Sequence, residues 1–153
     1  MPIKAVLIDL DGTLLDTVPD LADAANAMLA ELGRLTLPAD TIRDFVGKGI
    51  PNLVGRCLGY PGESAAPDAQ AALAVFWRHY AAVNGRRTRL YPGVLEGLQA
   101  MRAAGLKTAC VTNKAAAFTT PLLEATGLAA LLDMTVSGDT LAEKKPHPLP
   151  FLH

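Results

Sequence analysis

A doubly wound parallel α/β sheet, interrupted after its first strand by a small helical domain, is the fold this sequence predicts. Three observations lead there. Residues 5–8 (Ala-Val-Leu-Ile) form a short apolar run of the kind that makes a fully buried parallel strand, ended abruptly by Asp9. From residue 16 to about residue 88 the β-type signal vanishes and apolar residues recur at helical spacing. From Tyr91-Pro92-Gly93 onward, strand-like runs alternate again with helical stretches, the pattern of parallel strands joined by crossover helices.

The insert comes first in chain order. Leu21, Ala24, Ala25, Met28, Leu29 and Leu32 mark one helix face, with Gly33 placed to end it as a left-handed cap. Ile42, Phe45 and Val46 suggest a short second helix, ended by Gly47-Lys48-Gly49. Ile50, Leu53, Val54, Cys57 and Leu58 give a third, with Pro51 acceptable in its first turn. Tyr60 to Pro67 is rich in Gly and Pro and reads as a loop. Ala69, Ala72, Leu73, Phe76, Tyr80 and Val83 form the longest stripe, closed by Asn84-Gly85. These four helices, residues 16–88, make a helical cap; residues 1–15 and 89–153 make the sheet domain. There, Val94, Leu98 and Met101 mark a helix stopped at Gly105, and Lys107 to Val111 a second buried strand. A helix near Pro121 to Thr126 ends at Gly127, and Met134 to Val136 is a third strand. The insert falls on the ligand side of the sheet, where a lid belongs.

Composition narrows the function. The 153 residues are 50% hydrophobic with a net charge of -1, so no basic stripe exists to hold nucleic acid or an acidic membrane. Arg86, Arg87 and Arg89 cluster, but three charges between two segments read as a solvated turn. Cys57 and Cys110 both fall in apolar patterns and read as reduced core thiols, too few for a metal cluster without a nearby histidine. The first apolar run is interrupted by Asp9 and Asp11, and no stretch reaches the length of a membrane span, so a soluble, cytoplasmic protein is expected. Asp20, Asp23, Glu31, Asp40 and Asp44 read as helix-surface charges and partners of helix N-termini.

The chemistry concentrates where the first strand ends. Two carboxylates two residues apart, at the tip of a buried strand, are costly there without partners. The carboxyl end of a strand in an open α/β sheet is also where ligands bind. Asp9-x-Asp11-x-Thr13-Leu14 resembles the signature of the haloacid dehalogenase superfamily of phosphotransferases. Two more features follow in the order of that superfamily. Thr112-Asn113 ends the second strand, a hydroxyl and an amide beside backbone N–H groups that suit phosphate oxygens, although alone it would be a plain turn. Lys145-Pro146-His147-Pro148 resembles the third motif, Lys-Pro-x-Pro, with Lys145 beside the proline; Lys144 and His147 read as solvated. Leu-Asp-Gly-Thr-Leu-Leu-Asp-Thr at 10–17, Val46-Gly47-Lys48-Gly49, Val-Thr-Asn-Lys at 111–114 and Gly138-Asp139-Thr140 are most similar to the phosphoglycolate phosphatase group.

That resemblance implies a Rossmann-like sheet and a Mg2+-dependent phosphomonoester hydrolase acting on phosphoglycolate through an aspartyl-phosphate. It implies Asp9 as nucleophile, Asp11 as general acid then base, and Thr112, Asn113 and Lys145 at the phosphate. Mg2+ would touch Asp9 and the main-chain carbonyl of Asp11. Gly47-Lys48-Gly49 either ends a helix or carries Lys48 to the substrate carboxylate. The rivals are a phosphosugar mutase, a phosphatase for another small metabolite, and a catalytically impaired fragment; carbon–halogen cleavage is disfavoured because Asp11 supplies the acid that phosphoester cleavage needs. The family's fourth motif, an acidic pair after a fourth strand, lies downstream of the Lys-Pro, and this chain ends at His153. Asp139 and Glu143 imitate its spacing but precede Lys145. The expectation is therefore a sheet incomplete at the C-terminus, a metal site short of one acid, and a first strand whose bare apolar edge invites self-association.

Overall fold

In the computed structural model, residues 2–59 and 68–153 are described, so the loop expected at Tyr60 to Pro67 lies outside the described residues. In chain order the elements are β1 (Ala5–Ile8), β2 (Leu15–Asp16), α1 (Val18–Glu31), α2 (Ala39–Arg43), α3 (Ile50–Cys57), α4 (Ala69–Val83), β3 (Arg89–Leu90), α5 (Val94–Ala103), β4 (Lys107–Val111), α6 (Ala116–Ala125), a 3-10 turn (Leu128–Leu131), β5 (Met134–Val136) and α7 (Leu149–Leu152). The chain divides into two compact units, residues 1–16 with 89–153, and residues 17–88.

The first unit holds a parallel sheet of order β1-β4-β5. Ile8 lies opposite Cys110, and Val111 opposite Val136, so the three strands end at about the same level. The strand carrying Asp9 was expected to be fully buried, and it is not: Ala5 and Leu7 are exposed while Val6 and Ile8 are half-buried. Burial belongs instead to the central strand β4, where Thr108 to Val111 are all buried. The reason is topological. Among the described residues β1 has a neighbour on one side, so its apolar residues keep the look of a core strand while Leu7 stays 43% exposed. The core proper gathers Leu10, Leu14, Leu15, Leu98, Cys110, Leu122, Leu123 and Leu128.

Two features of this unit differ from expectation. β2 and β3 pair antiparallel, Leu15 with Leu90 and Asp16 with Arg89, and two residues are too few to carry an alternating signal. Helix α6 starts at Ala116, with Pro121 inside it rather than near its start. Proline fixes a helical φ, and the one carbonyl it fails to bond does not stop a short helix.

The second unit packs α1 against α4 and α2, and α3 against α4. The α1 stripe of Leu21, Ala24, Ala25, Met28 and Leu29 is buried, as are Phe76 and Tyr80 of α4, whose ring centroids lie 5.5 Å apart. Helix α2 is shorter than expected, with Phe45 and Val46 in the turns beyond it. One expectation fails outright. Asp20 is no surface charge: it is fully buried, and its carboxylate accepts hydrogen bonds from the backbone N–H groups of Gly85 (3.0 Å), Arg87 (2.8 Å) and Thr88 (3.0 Å) and from the Thr88 hydroxyl (2.7 Å). It ties the first turn of α1 to the segment that leaves α4. Asp23 does lie at the surface, 3.0 Å from Arg87. Glu31 meets Arg78 and His79, and the Arg78 guanidinium leads in holding its carboxyl below the usual range. Among the described residues no helix is long and apolar enough to cross a membrane.

Candidate active site

The loop after β1 is wound around one carbonyl. Leu10, fully buried, anchors it, and its C=O accepts N–H groups from Thr13 (3.2 Å), Leu14 (3.0 Å) and Leu15 (3.0 Å). Gly12 completes the reversal at φ 79°, a conformation that a side chain would strain, and its N–H donates to Leu15 O at 2.9 Å. The two acids flank this knot. The Asp9 side chain is 41% exposed and that of Asp11 only 12%. Asp9 Oδ1 accepts from the Leu10 N–H at 2.8 Å and from Lys145 Nζ, also at 2.8 Å.

A second loop leaves the neighbouring strand β4. Thr112 is buried, its N–H donates to Val136 O (2.9 Å), and its hydroxyl oxygen accepts the Lys114 N–H at 3.1 Å. The Lys114 carbonyl accepts in turn from the Gly138 N–H (2.8 Å) and the Thr119 hydroxyl (3.3 Å). At Gly138 a Cβ would stand 2.2 Å from the Asn113 carbonyl oxygen, so only glycine allows the strand end of β5 to lie this close. The Asn113 amide donates to the Lys145 carbonyl at 3.0 Å, tying this loop to the segment that follows β5.

Of the residues singled out in the sequence, Asp9, Asp11 and Lys145 thus converge, and Thr112 and Asn113 form the loop beside them. Lys144 is half-buried, not solvated. His147 lies in an exposed loop and accepts the Leu149 N–H at 3.1 Å. Asp139 accepts the Ala116 N–H at 2.8 Å, which puts its charge at the N-terminus of α6, where the helix dipole favours it. Gly47 and Lys48 are exposed in the turns between α2 and α3 of the helical unit.

One residue was missed. The Lys114 side chain is 2% exposed, and its Nζ lies 3.2 Å from Asp11 Oδ1. The site therefore holds two acid–lysine pairs, one half-open and one closed, and their formal charges cancel. The clue was available: two acids at a strand tip need cations, and Lys114 follows the strand paired with theirs. The acids' field reaches Cys110 opposite Ile8. Burial first, then the negative charge of Asp9 and of Asp11, pushes its thiol up to about 12; burial, opposed by the Arg56 charge, takes Cys57 to about 11. Both cysteines are free thiols.

The donors suit magnesium. This ion takes one or two carboxylates, with water and substrate oxygens filling its octahedron, and Asp9 offers a half-exposed carboxylate at the strand tip. Among the described residues, no group of three or more His, Cys, Asp or Glu side chains converges that could hold a metal.

Comparison with known proteins bears on this geometry. The model of a family of hydrolases described as haloacid dehalogenase-like matches residues 3–153. A phosphoglycolate phosphatase of Nitrosospira multiformis is 55% identical over all of this chain and 68% of its own length, and one from Cupriavidus necator is 50% identical over all of this chain and 66% of its own. The crystal structure of a predicted phosphoglycolate phosphatase from Haemophilus somnus 129pt superposes with a TM-score of 0.89 at 32% identity, covering 98% of this chain and 69% of that one. The chain thus spans about two thirds of the length of the relatives it matches. With the family match running from the residue before Lys4 to the last residue, and with a relative more than half identical along the whole of it, the chain belongs to the haloacid dehalogenase-like hydrolases.

Proposed function

We propose that this chain carries the machinery of a magnesium-dependent phosphomonoester hydrolase that acts on phosphoglycolate through an aspartyl-phosphate. The observation behind the proposal is the half-exposed Asp9 carboxylate, held by a backbone N–H and the Lys145 ammonium at 2.8 Å each, with a second carboxylate two residues on. The names of the most similar relatives support the substrate.

The roles follow from what each atom touches. Asp9 Oδ1 is occupied by its two donors, so Oδ2 is the candidate attacking atom. It forms a bond to phosphorus as the bond to the leaving oxygen breaks, and Asp11 delivers a proton to that oxygen. Asp11 then takes a proton from the water that attacks the phosphoryl group, which frees Asp9 and releases inorganic phosphate. Lys145 and the Thr112 loop hold phosphoryl oxygens. Bound at Asp9 and the main-chain carbonyl of Asp11, Mg2+ would supply the further positive charge that lets a carboxylate meet a phosphate dianion.

The decisive experiment follows phosphate from a radiolabelled phosphoester into the protein. Asp9→Asn should remove all covalent labelling, because a neutral amide does not attack. Equal labelling or equal turnover in wild type and Asp9→Asn overturns the reading. For the substrate, Lys48→Ala should raise KM for phosphoglycolate more than for an uncharged aryl phosphate. An equal rise for both removes Lys48 from carboxylate recognition.

A further inference from the structure

Lys114 is the buried charge that the proposed mechanism leaves without a task. Its side chain is 2% exposed and its Nζ lies 3.2 Å from Asp11 Oδ1, while its backbone is fixed at both ends. The N–H is held by the Thr112 hydroxyl at 3.1 Å, and the carbonyl by Gly138 N–H at 2.8 Å and the Thr119 hydroxyl at 3.3 Å. Gly138 is pressed against Asn113 so closely that no side chain fits. A lysine this rigidly mounted does more than balance the charge of a largely buried acid. It is a sound way to fix one carboxyl group in space.

We propose that Lys114 is the positioning residue of the general acid: through its ion pair with Asp11 it sets where that carboxyl points, and it does not itself hold the phosphate. The inference rests on the phosphatase reading above. It divides labour between the two lysines. Lys145, 18% exposed and paired with the half-open Asp9, can meet the phosphate, whereas Lys114, closed off behind Asp11, acts through Asp11. The neighbouring strand makes this possible. Asp11 follows β1 and Lys114 follows β4, and the two strands pair as far as Ile8 and Cys110, so the pair bridges adjacent strand tips.

This assignment has a signature that a merely structural lysine lacks. In kcat/KM, which ends at departure of the leaving group, a displaced Asp11 matters only when the leaving oxygen needs a proton; its later base role enters kcat alone. Lys114→Met should therefore lower kcat/KM for an alkyl phosphate such as phosphoglycolate by ~10²-fold, the usual size for a catalytic group misplaced by about 1 Å. For p-nitrophenyl phosphate, whose leaving group departs unprotonated, the loss should stay under ~10-fold. Lys114→Arg should recover part of the alkyl phosphate activity, since a guanidinium can still pair with a carboxylate. On an Asp11→Asn background, Lys114→Met should change kcat/KM for the alkyl phosphate hardly at all, because the group it positions is gone. That double variant also carries no unpaired buried charge, so it reports even if Lys114→Met alone fails to fold.

A readout free of turnover separates the two lysines. Beryllofluoride, an aspartyl-phosphate mimic, should bind to Lys114→Met within about 3-fold of wild type in the presence of Mg2+, and to Lys145→Met far more weakly. Equal losses for alkyl and aryl substrates, or beryllofluoride binding lost in Lys114→Met as much as in Lys145→Met, overturn the positioning role. Beryllofluoride bound equally by wild type and Asp9→Asn, or by neither, would overturn the phosphatase reading itself, a separate result from failure of the lysine pair.

Discussion

Two regions of this molecule solve the same problem in opposite ways. In the helical unit the buried Asp20 carboxylate is surrounded by neutral donors, three backbone N–H groups and one hydroxyl, all within 3.0 Å. In the sheet unit Asp9 and Asp11 are met by ammonium groups instead, and Asp9 stays 41% exposed. Neutral donors give a carboxylate several short bonds and no reason to change partner; they hold two segments together. Ammonium ions leave a carboxylate charged, aimed and approachable. The difference separates an acid used as a clasp from acids set out for the proposed chemistry.

Substitutions at the two places should fail differently. Asp11→Asn should slow alkyl phosphate turnover by ~10²–10⁴-fold while beryllofluoride still binds, which steady-state kinetics and a binding titration check together. It should also lower the urea midpoint, because the Lys114 side chain, 2% exposed, is left facing a neutral amide. Asp20→Ala should cost stability alone, since its partners are donors of the helical unit and not the groups beside Asp9. It removes the acceptor that four hydrogen bonds share, each worth about 1 kcal/mol, so a destabilisation of roughly 4 kcal/mol is expected in urea unfolding of the full chain. Were Asp20→Ala to unfold at the wild-type midpoint, the clasp would be dispensable and the contrast false.

The thiols sharpen the contrast through pH. Cys57 and Cys110 titrate at about 11 and about 12 in the folded chain against an ordinary 9.0, so folding favours their protonated forms. That stabilisation is whole below pH 9.0 and is lost as pH rises towards the folded values, at most ~1.4 kcal/mol per pH unit for each thiol. Urea midpoints should therefore fall above pH 9, and Cys110→Ser should flatten part of that fall. The smallest effect belongs to the surface. Arg87→Ala removes an exposed pair with Asp23 at 3.0 Å yet keeps the backbone N–H that Asp20 needs, so a change within about 0.5 kcal/mol is expected. A larger loss would mean that the Arg87 side chain belongs to the clasp.

The comparison also shows what a sequence can reveal. Asp9, Asp11 and Lys145 stood out only through motifs that follow one another in the order of a known family, whereas the strand before Asp9 was legible as a local apolar run, though not its partial exposure. The three parallel strands and the glycine-capped helices were legible as local patterns too. Asp20 was misread because a first-turn acid is already explained by its helix dipole, while its true partners lie some 65 residues further along. Lys114 escaped for a related reason, since its partner sits on another strand and nothing in Val-Thr-Asn-Lys marks which polar residue turns inward. The β2–β3 ribbon was too short to leave a pattern at all.

That ribbon carries a consequence for how the chain can be rebuilt. Asp16 and Arg89 are antiparallel partners, so their backbones stand about 5 Å apart, a span that a two-residue turn closes. The 72 residues between them, 17–88, form a compact unit of their own, and the chain enters and leaves them through this two-pronged ribbon. An architecture of this kind is modular: the insert can be exchanged, lengthened or removed without asking the strands behind Asp9 and Lys114 to change their register. Exchanging residues 17–88 while keeping the ribbon should leave the pairing of β1 with β4 intact.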